Sequence, residues 1–514
     1  MVKWTGLSCR IGKYLSFIRW NWSIFNGSVT FKIFANTLEG TYDKINFDFY
    51  CVFLNEFLFN FVFCHFQLLF LSLDDVRNIK ITKVVILMPI RRFISQAIAR
   101  GPYSSIEQMV AILVFTIPLC LMFWPGGIWI VQSALVLVWF WALDRSQSSY
   151  VQAVSRFRQI DLSKYFFAVV IAYFIWSVIT IVFLHSELQS IDNALIFLLW
   201  CLIAPVLLDL KINSASFGYG SFFALILALL LALTQFYLFN LDRAFGLYGQ
   251  GRTGSGAIKF GNMALLLGVL AFLLLHQSSR LKLLGKISAF LGMLICLYAS
   301  SRGGVLAIGL CLLVWQVNIH TDRFHGFKLF LLMMVAVLVL YGLNEIMDNY
   351  LLQRVKITKG EIDSIFALNF SSSMGIRIHL WYAAILMFME HPLFGVGLNN
   401  FGKALKDIKQ MHVISDESVN YAHAHNEFLC ALATGGLVGC VLTVLLFIIP
   451  LKYFRRDYQQ NEWAKAGFWS VCLMSFFALT DCIFDRRMTV MAFILLISIC
   501  MAGNMNHKVI KTVC

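Results

Sequence analysis

The stretch from Tyr421 to Gly439, YAHAHNEFLCALATGGLVG, decides how the rest of the chain is interpreted. It places His423, His425 and Asn426 directly before a long apolar run. Polar and ionisable side chains are costly at membrane depth, so those that occur there usually serve a function. We therefore predict a functional site at the mouth of a membrane helix that begins near residue 427.

The composition indicates the class of protein to which this stretch belongs. The chain has 514 residues, of which 60% are hydrophobic and 13% are charged. This excludes an ordinary soluble domain and predicts an all-α polytopic membrane protein. The net charge of +14 comes from short basic segments between apolar runs, which indicates membrane topology, and no nucleic-acid partner is expected. The 13 cysteines form no C-x-x-C pair and are interpreted as small buried hydrophobic residues.

Twelve apolar runs are long enough to cross a membrane. They lie near residues 108–124, 127–143, 165–184, 193–209, 219–240, 258–275, 283–299, 303–317, 327–343, 427–451, 467–484 and 488–503. Most lysines and arginines fall in loops on one side, which predicts that this side and both ends of the twelve-span core are cytoplasmic. Residues 88–343 would hold spans one to nine, residues 344–426 a large outer loop with an amphipathic helix, and residues 427–514 the last three spans and a cytoplasmic tail.

Residues 1–87 follow a different pattern. They are rich in aromatic residues, and their apolar run at 49–73 is interrupted by polar side chains. If this run crossed the membrane, the basic residues before it would lie on the outer side, against the usual charge bias. We expect an appended, interfacial or even mistranslated leader, with the membrane domain beginning near Met88.

Three arginines lie in segments that this topology places outside. Arg252 belongs to a glycine-rich turn, GQGRTGSGAIKFGNM, Arg302 to the short connection YASSRGGVLA, and Arg377 to the start of a helix predicted at 378–389. Because the charge bias disfavours outer arginines, an anionic ligand is one reason for their presence. The alternatives are lipid headgroups or loop carboxylates as partners, capping of a helix end by Arg302, and simple solvation of Arg377.

The residues around His425 suggest a general base. Asn426 can cap the helix that follows, and the partial positive charge at a helix N-terminus disfavours imidazolium. A neutral imidazole at the membrane surface is suited to taking a proton near neutral pH. His423 is expected to hydrogen-bond its neighbour or to face water. Gly435 and Gly439 share one helical face, which predicts a close neighbour and a rigid helix.

The pair His425-Asn426, followed after nine residues by Gly436-x-x-Gly439, resembles the H-[NSQ]-x9-G-x-x-G signature of the O-antigen ligase family. The resemblance extends over roughly residues 88–500. The sequence departs from the family pattern at two places. Cys440 follows the last glycine, and the segment GNM at residues 261–263 lacks a proline.

The resemblance implies an inverting glycosyltransferase of the bacterial inner membrane that needs no metal or cofactor and faces the periplasm. Its donor would be a glycan on undecaprenyl diphosphate. Arg252, Arg302 and Arg377 would hold the diphosphate, and His425 would deprotonate the acceptor hydroxyl. His423, Asn426 and the three glycines at positions 435, 436 and 439 would support the site, and membrane lipids would surround the protein.

The acceptor decides between related activities. An O-antigen ligase uses lipid A core, an O-antigen polymerase uses another glycan, and an O-oligosaccharyltransferase uses a protein hydroxyl. We rank the ligase first because the histidine-glycine signature fits it and no soluble domain follows the last predicted span. A transporter or lipid flippase is the alternative from another class, but no internal repeat is evident in the sequence.

Overall fold

The computed structural model describes residues 24–25, 28–29, 105–124, 127–146, 160–186, 190–210, 212–247, 255–276, 279, 281–309, 350–367, 369–410 and 416–513. The chain divides into two compact units, residues 1–72 and 73–514. In the first unit, strand β1 (Ile24–Phe25) pairs antiparallel with β2 (Ser28–Val29). Every other regular element in the described part is helical.

The second unit holds the helices of the described part. They are α1 (Ser105–Phe123), α2 (Gly127–Ser146), α3 (Asp161–Leu184), α4 (Ser190–Asp209), α5 (Ser214–Leu233) with a π-helical turn at Thr234–Leu238, α6 (Ser255–Leu275), α7 (Lys282–Tyr298), α8 (Tyr350–Phe366), α9 (Ser373–Glu390), α10 (Phe401–Gln410), a 3-10 turn at Asp416–Asn420, α11 (Glu427–Arg456), α12 (Glu462–Ala478) and α13 (Arg487–Val513). Residues 302–309 are also helical.

Seven helices of the described part are long and apolar enough to cross a membrane. Their spans are Ile106–Phe123, Lys164–Leu184, Ile191–Asp209, Ser214–Leu238, Gly256–Leu275, Glu427–Arg456 and Arg487–Asn506. The prediction of a helical, multi-pass membrane protein is thus confirmed.

The remaining predicted spans correspond to shorter helices or lie beyond the described residues. The run at 127–143 falls in α2, whose apolar part is Gly127–Phe140. Those at 283–299 and 467–484 correspond to α7 and α12, which have 17 residues each. The run at 327–343 and most of 303–317 lie outside the described residues, so the total of twelve stays a prediction.

One predicted span ends earlier than expected. Helix α12 ends at Ala478, and residues 479–486 leave the helix, so the expected continuation to residue 484 is wrong. The backbone N–H of Asp481 donates to Phe477 O at 3.0 Å, and its carboxylate accepts the N–H of Cys482 at 3.0 Å. Such local side-chain to backbone bonds compete with helix formation and turn the chain here.

Helix α11 is broken at Gly436, which has φ 62° and ψ −157°. The expected rigid continuous helix is therefore wrong. The break frees backbone groups, and the segment from Pro392 to Gly397 satisfies them. The N–H groups of Val396 and Gly397 donate to Ala433 O and Thr434 O at 3.0 and 2.9 Å, and the N–H of Leu437 donates to Pro392 O at 2.9 Å.

The predicted close neighbour of the two flanking glycines is present. A Cβ atom on Gly435 or Gly439 would lie 3.4 or 3.3 Å from Nε1 of Trp176. Trp176 in turn stacks on Phe394, with ring centroids 5.6 Å apart. The indole of α3 therefore fills the space beside the broken helix, next to the segment that docks on it.

The break makes Gly436 sensitive to substitution. In Gly436→Ala, the new Cβ would overlap the Leu393 carbonyl, and the alanine would have to adopt a backbone conformation that is open mainly to glycine. We expect the free energy of unfolding in detergent to fall by about 1–3 kcal/mol. Thermal unfolding measures this as a lower Tm.

Gly402→Ala is the matched control, since the nearest atom to its Cβ would be 3.5 Å away. Its Tm should stay close to that of the native protein. Equal Tm values for the two variants would contradict the broken-helix geometry.

Candidate active site

The histidine loop enters α11 through a capped turn. His425 has a left-handed backbone conformation, with φ 51°. Asn426 then caps α11, as predicted, because its Oδ1 accepts from the N–H groups of Phe428 and Leu429 at 3.0 and 3.1 Å. The turn and the cap together set the position of the His425 ring at the end of the helix.

Two hydrogen bonds tie the start of α11 to the turn after α12. The Asn426 amide donates to Leu479 O at 3.2 Å, and Oε2 of the buried Glu427 accepts the N–H of Phe484 at 2.9 Å. Asp481 lies between these two anchor points. Its Oδ1 atom is 3.6 Å from Nδ1 of His425, so a carboxylate stands beside the ring.

His425 and Asp481 are not hydrogen-bonded to each other. The separation of 3.6 Å exceeds a hydrogen bond, and Nδ1 of His425 is buried without a hydrogen-bond partner among the described residues. Catalytic hydrogen bonds are often long without substrate and shorten when it binds. His425 and Asp481 therefore lie side by side, slightly beyond hydrogen-bond distance.

The charge states of Asp481 and His423 depend on their burial and on the ionisable groups around them. Burial would raise the pKa of the Asp481 carboxyl, but the neighbouring His425, His423 and Lys259 hold that pKa below its ordinary value. Burial, followed by the charge of His425, lowers the pKa of His423. At neutral pH Asp481 is therefore an ionised carboxylate and His423 a neutral imidazole.

Asp481 and Lys259 were not identified from the sequence. Each is the single charged residue of its predicted apolar run, at 467–484 and 258–275 respectively. A lone ionisable residue within a predicted span is a recognised sign of function. Their position as lone charged residues in apolar runs could therefore have identified both from the sequence.

The turn that carries Arg302 is fixed by α6. The hydroxyl of Ser301 donates to Oδ1 of Asn262 at 2.6 Å and accepts the N–H of Gly304 at 3.2 Å. Gly303 lies so close to Thr480 that a side chain there would overlap it. Asn262, in the GNM segment that departs from the family pattern, thus holds the arginine turn against the residue before Asp481.

The guanidinium of Arg302 is paired with a carboxylate. Its Nη1 and Nη2 atoms contact Oε2 and Oε1 of Glu361, in α8, at 2.5 and 3.0 Å. The fork of the arginine therefore grips both oxygens of one carboxylate. This contact is one of the alternatives that the sequence left open, a loop carboxylate as partner, and differs from the suggested capping of a helix end.

Arg377 lies further into its helix than expected. Ser372 caps α9 by accepting the N–H of Gly375 at 3.1 Å, so the helix begins at Ser373 and Arg377 falls in its second turn. The expectation that Arg377 opens the helix was wrong because the serine cap was overlooked. One turn later, the indole N–H of Trp381 donates to Ala424 O at 3.0 Å, which joins this face of α9 to the histidine loop.

The electrostatics of Arg377 connect it to the other site residues. Burial lowers the pKa of its guanidinium, while the charge of Asp481 raises it and that of Arg302 lowers it. Glu361 and Tyr421 also act on it. No salt bridge of Arg377 is found within the described part of the chain.

The structure therefore brings together Arg302, Arg377, His423 and His425 of the residues singled out from the sequence. Gly435, Gly436 and Gly439 lie deeper in α11, where they shape the backbone and meet no reacting group. Arg252 lies outside the described residues.

Two ring contacts pack the histidine loop. The centroids of His423 and His425 are 4.4 Å apart, and those of Tyr421 and His425 are 5.5 Å apart. The N–H of His425 also donates to Nδ1 of His423 at 3.3 Å, which fulfils the expected bond between neighbours. His423 thus holds the loop that presents His425.

The same cluster has the donors for a metal ion. One ligand atom each from His423, His425 and Asp481 lies within 4.8 Å of the other two, close enough to share an ion. Imidazole nitrogen and carboxylate oxygen suit a divalent transition metal. The arrangement equally suits an imidazole base beside a carboxylate partner.

A polar cavity lies behind the histidine loop. Its volume is about 60 Å³, and its lining includes Glu427, Thr434 of α11, Asn193 of α4 and Asp485. Oδ1 of Asn193 is buried without a hydrogen-bond partner among the described residues. A space of this size and polarity suits ordered water rather than a sugar chain.

Comparison with known proteins finds a family model that matches part of this chain. Residues 287–444 match the family model described as O-antigen ligase, and this range includes Arg302, Arg377 and His425 but not Asp481. The chain is also similar to an uncharacterized protein of Haemophilus influenzae, with 21% identity over 294 residues, which cover 56% of this chain and 72% of that protein. The resemblance of this chain to the O-antigen ligase family is thereby confirmed, and residues 287–444 carry the domain of that family.

Proposed function

We propose that the protein is a membrane glycosyltransferase that moves a glycan from undecaprenyl diphosphate to the hydroxyl of lipid A core. The observation that carries this proposal is the meeting of two arginines with a histidine and an ionised carboxylate at one end of the helices. A transfer from a lipid diphosphate needs cationic groups for the leaving group and a base for the acceptor. The match to the O-antigen ligase model supports the same reaction class.

The arginines would bind the donor. A guanidinium contacts two oxygens of a phosphate at once, as Arg302 does with the carboxylate of Glu361. Arg302 is near enough for its charge to lower the pKa of Arg377, so an anion between the two guanidinium groups would relieve their repulsion. When the bond from the sugar to phosphate breaks, the departing diphosphate takes the electron pair, and the two arginines stabilise its growing charge.

His425 would act on the acceptor. Its Nδ1 atom faces Asp481, so a proton on Nδ1 points toward the carboxylate and Nε2 remains to accept one. As the acceptor oxygen bonds to the anomeric carbon, its proton passes to Nε2, and the carboxylate stabilises the imidazolium that forms. Attack opposite to the leaving diphosphate inverts the anomeric carbon. No step requires a metal ion.

The site would face the periplasm of the bacterial inner membrane. The loops on the opposite side carry most of the basic residues, which favours the cytoplasm for that side. Both the lipid-linked glycan and lipid A core would then approach from the outer leaflet.

The broken helix is the one observation that favours a transporter, because such proteins often use broken helices at their binding sites. Here, however, the groups freed at Gly436 bond to the segment from Pro392 to Gly397. They are therefore engaged by the protein itself, and the transferase remains the better supported proposal.

Deletion in the native host tests the acceptor. For a ligase, gel analysis of lipopolysaccharide should show core without long chains, while long chains accumulate on undecaprenyl diphosphate. A core that carries a single repeat would instead indicate a polymerase. Normal lipopolysaccharide together with an unglycosylated protein would indicate an oligosaccharyltransferase.

Substitution of His425 and Asp481 tests the base. In the purified enzyme, His425→Ala should retain binding of the lipid-linked donor and lose transfer by roughly 10²- to 10⁴-fold. Asp481→Asn keeps the shape but loses the charge, so kcat should fall by at least about tenfold with little change in KM.

His391→Ala, at an exposed histidine of the same outer segment, serves as the control and should behave like the native enzyme. Undiminished transfer by folded His425→Ala would remove this histidine from the mechanism.

Arg377→Lys tests recognition of the diphosphate. The lysine keeps a positive charge but loses the planar fork, so kcat/KM for the lipid-linked donor should fall by about 10- to 100-fold. Arg354→Lys is the control, because Arg354 contacts a backbone carbonyl, that of Asp242, at 2.9 Å. If both variants showed native kinetics, Arg377 would have no part in donor binding.

A further inference from the structure

Helix α8 meets the candidate site at Glu361. Glu361 reaches both guanidinium nitrogens of Arg302, and the carboxylate side chain is only 13% exposed while that of Arg302 is 37% exposed. Glu361 also acts electrostatically on Arg377. One carboxylate thus lies within the field of both arginines that the proposed reaction assigns to the diphosphate.

The rest of α8 is mostly exposed. Five of its large apolar side chains are between 39% and 84% exposed, and four of them share one side of the helix while Ile357 lies on the other; they are Leu352, Val355, Ile357, Ile362 and Phe366. At the other end of α8, Arg354 donates to the Asp242 carbonyl at 2.9 Å. An element with so much of its surface exposed opens more easily than the packed helices around it.

The carboxylate of Glu361 resembles a phosphate in its contact with arginine. Both groups offer two oxygens to the two nitrogens of the fork, and both carry negative charge. A diphosphate that binds Arg302 in the same way needs the nitrogens that Glu361 now occupies. The two anions therefore exclude each other at this position.

From this we infer that Glu361 occupies the phosphate position of the donor site, so that the lipid diphosphate must displace Glu361, and α8 with it, in order to bind. The inference rests on the proposed function of Arg302. In the absence of donor, Glu361 offsets part of the repulsion between the two arginines. A diphosphate carries more negative charge than one carboxylate, so it can replace Glu361 there.

Competition between Glu361 and the diphosphate for Arg302 would also affect the release of the product. Undecaprenyl diphosphate leaves with its charge still held by the arginines, and such tight binding would slow its release. The return of Glu361 to Arg302 competes with the product for the same nitrogens. Loss of the carboxylate should therefore tighten the binding of both donor and product.

Binding of undecaprenyl diphosphate without a glycan tests the exchange. With the full-length protein in lipid nanodiscs, Glu361→Gln should lower the Kd for this probe by roughly three- to tenfold, because a charged competitor is removed. Under turnover, KM for the donor and kcat should fall together, since the product leaves more slowly. Asp363→Asn, two residues along on an exposed side chain of α8, should leave Kd and kcat unchanged.

Hydrogen exchange of the native protein gives a second readout that needs no variant. Addition of undecaprenyl diphosphate should increase amide exchange in residues 352–366, because α8 loses its contact with Arg302. Unchanged or slower exchange there, with the probe bound, would overturn the displacement of α8.

The outcomes separate this inference from the function on which it rests. If Arg302→Ala loses the probe while Glu361→Gln binds it no more tightly than the native protein, Arg302 holds the diphosphate and the competition by Glu361 is disproved. Weaker binding by Glu361→Gln would show that Glu361 orients Arg302 instead, and would also overturn the proposal. If native protein and Arg302→Ala bind the probe equally, the donor site itself is misassigned.

Discussion

The candidate site depends on the hydrogen bond that Oε2 of the buried Glu427 side chain accepts from the backbone N–H of Phe484. This bond joins the first residue of α11 to the turn after α12, and Asn426 adds a second bond to the same turn through Leu479. Because both anchors lie next to His425, they fix where Asp481 stands relative to the ring. The pairing of base and carboxylate is therefore a property of two helix ends held together, and neither helix specifies it alone.

The arginine side of the site is built in a comparable way. Asn262 holds Ser301, and the small size of Gly303 lets the same turn approach Thr480. Trp381 holds the histidine loop to α9, one turn from Arg377. Polar contacts between side chains and backbone thus bring four chain segments, which are far apart in sequence, to one end of the helices. Each segment contributes one or two ionisable groups, which lie close enough to act on one another electrostatically.

The sequence predicted those features that depend on local composition. The apolar runs revealed the membrane helices because hydrocarbon thickness sets their length, and the position of Asn426 before such a run predicted its cap. Features that depend on contacts between distant segments were not predictable in this way. The partner of Arg302 is 59 residues away, and a helix pattern gives no indication that Glu361 is the residue it meets. Asp481 was overlooked because its apolar neighbours made residues 479–484 resemble the end of a span.

The interruption of α11 gives the spacing in the histidine-glycine pattern a physical meaning. Nine residues, 427–435, separate the capped start of the helix from Gly436, which corresponds to about 13.5 Å along the helix axis. At that depth the segment from Pro392 to Gly397 bonds to the freed backbone. One added residue would move the interruption by about 1.5 Å and rotate it by about 100° around the axis, away from that segment. The number of residues between His425 and Gly436 therefore sets how far the segment from Pro392 to Gly397 lies from the imidazole along the helix axis.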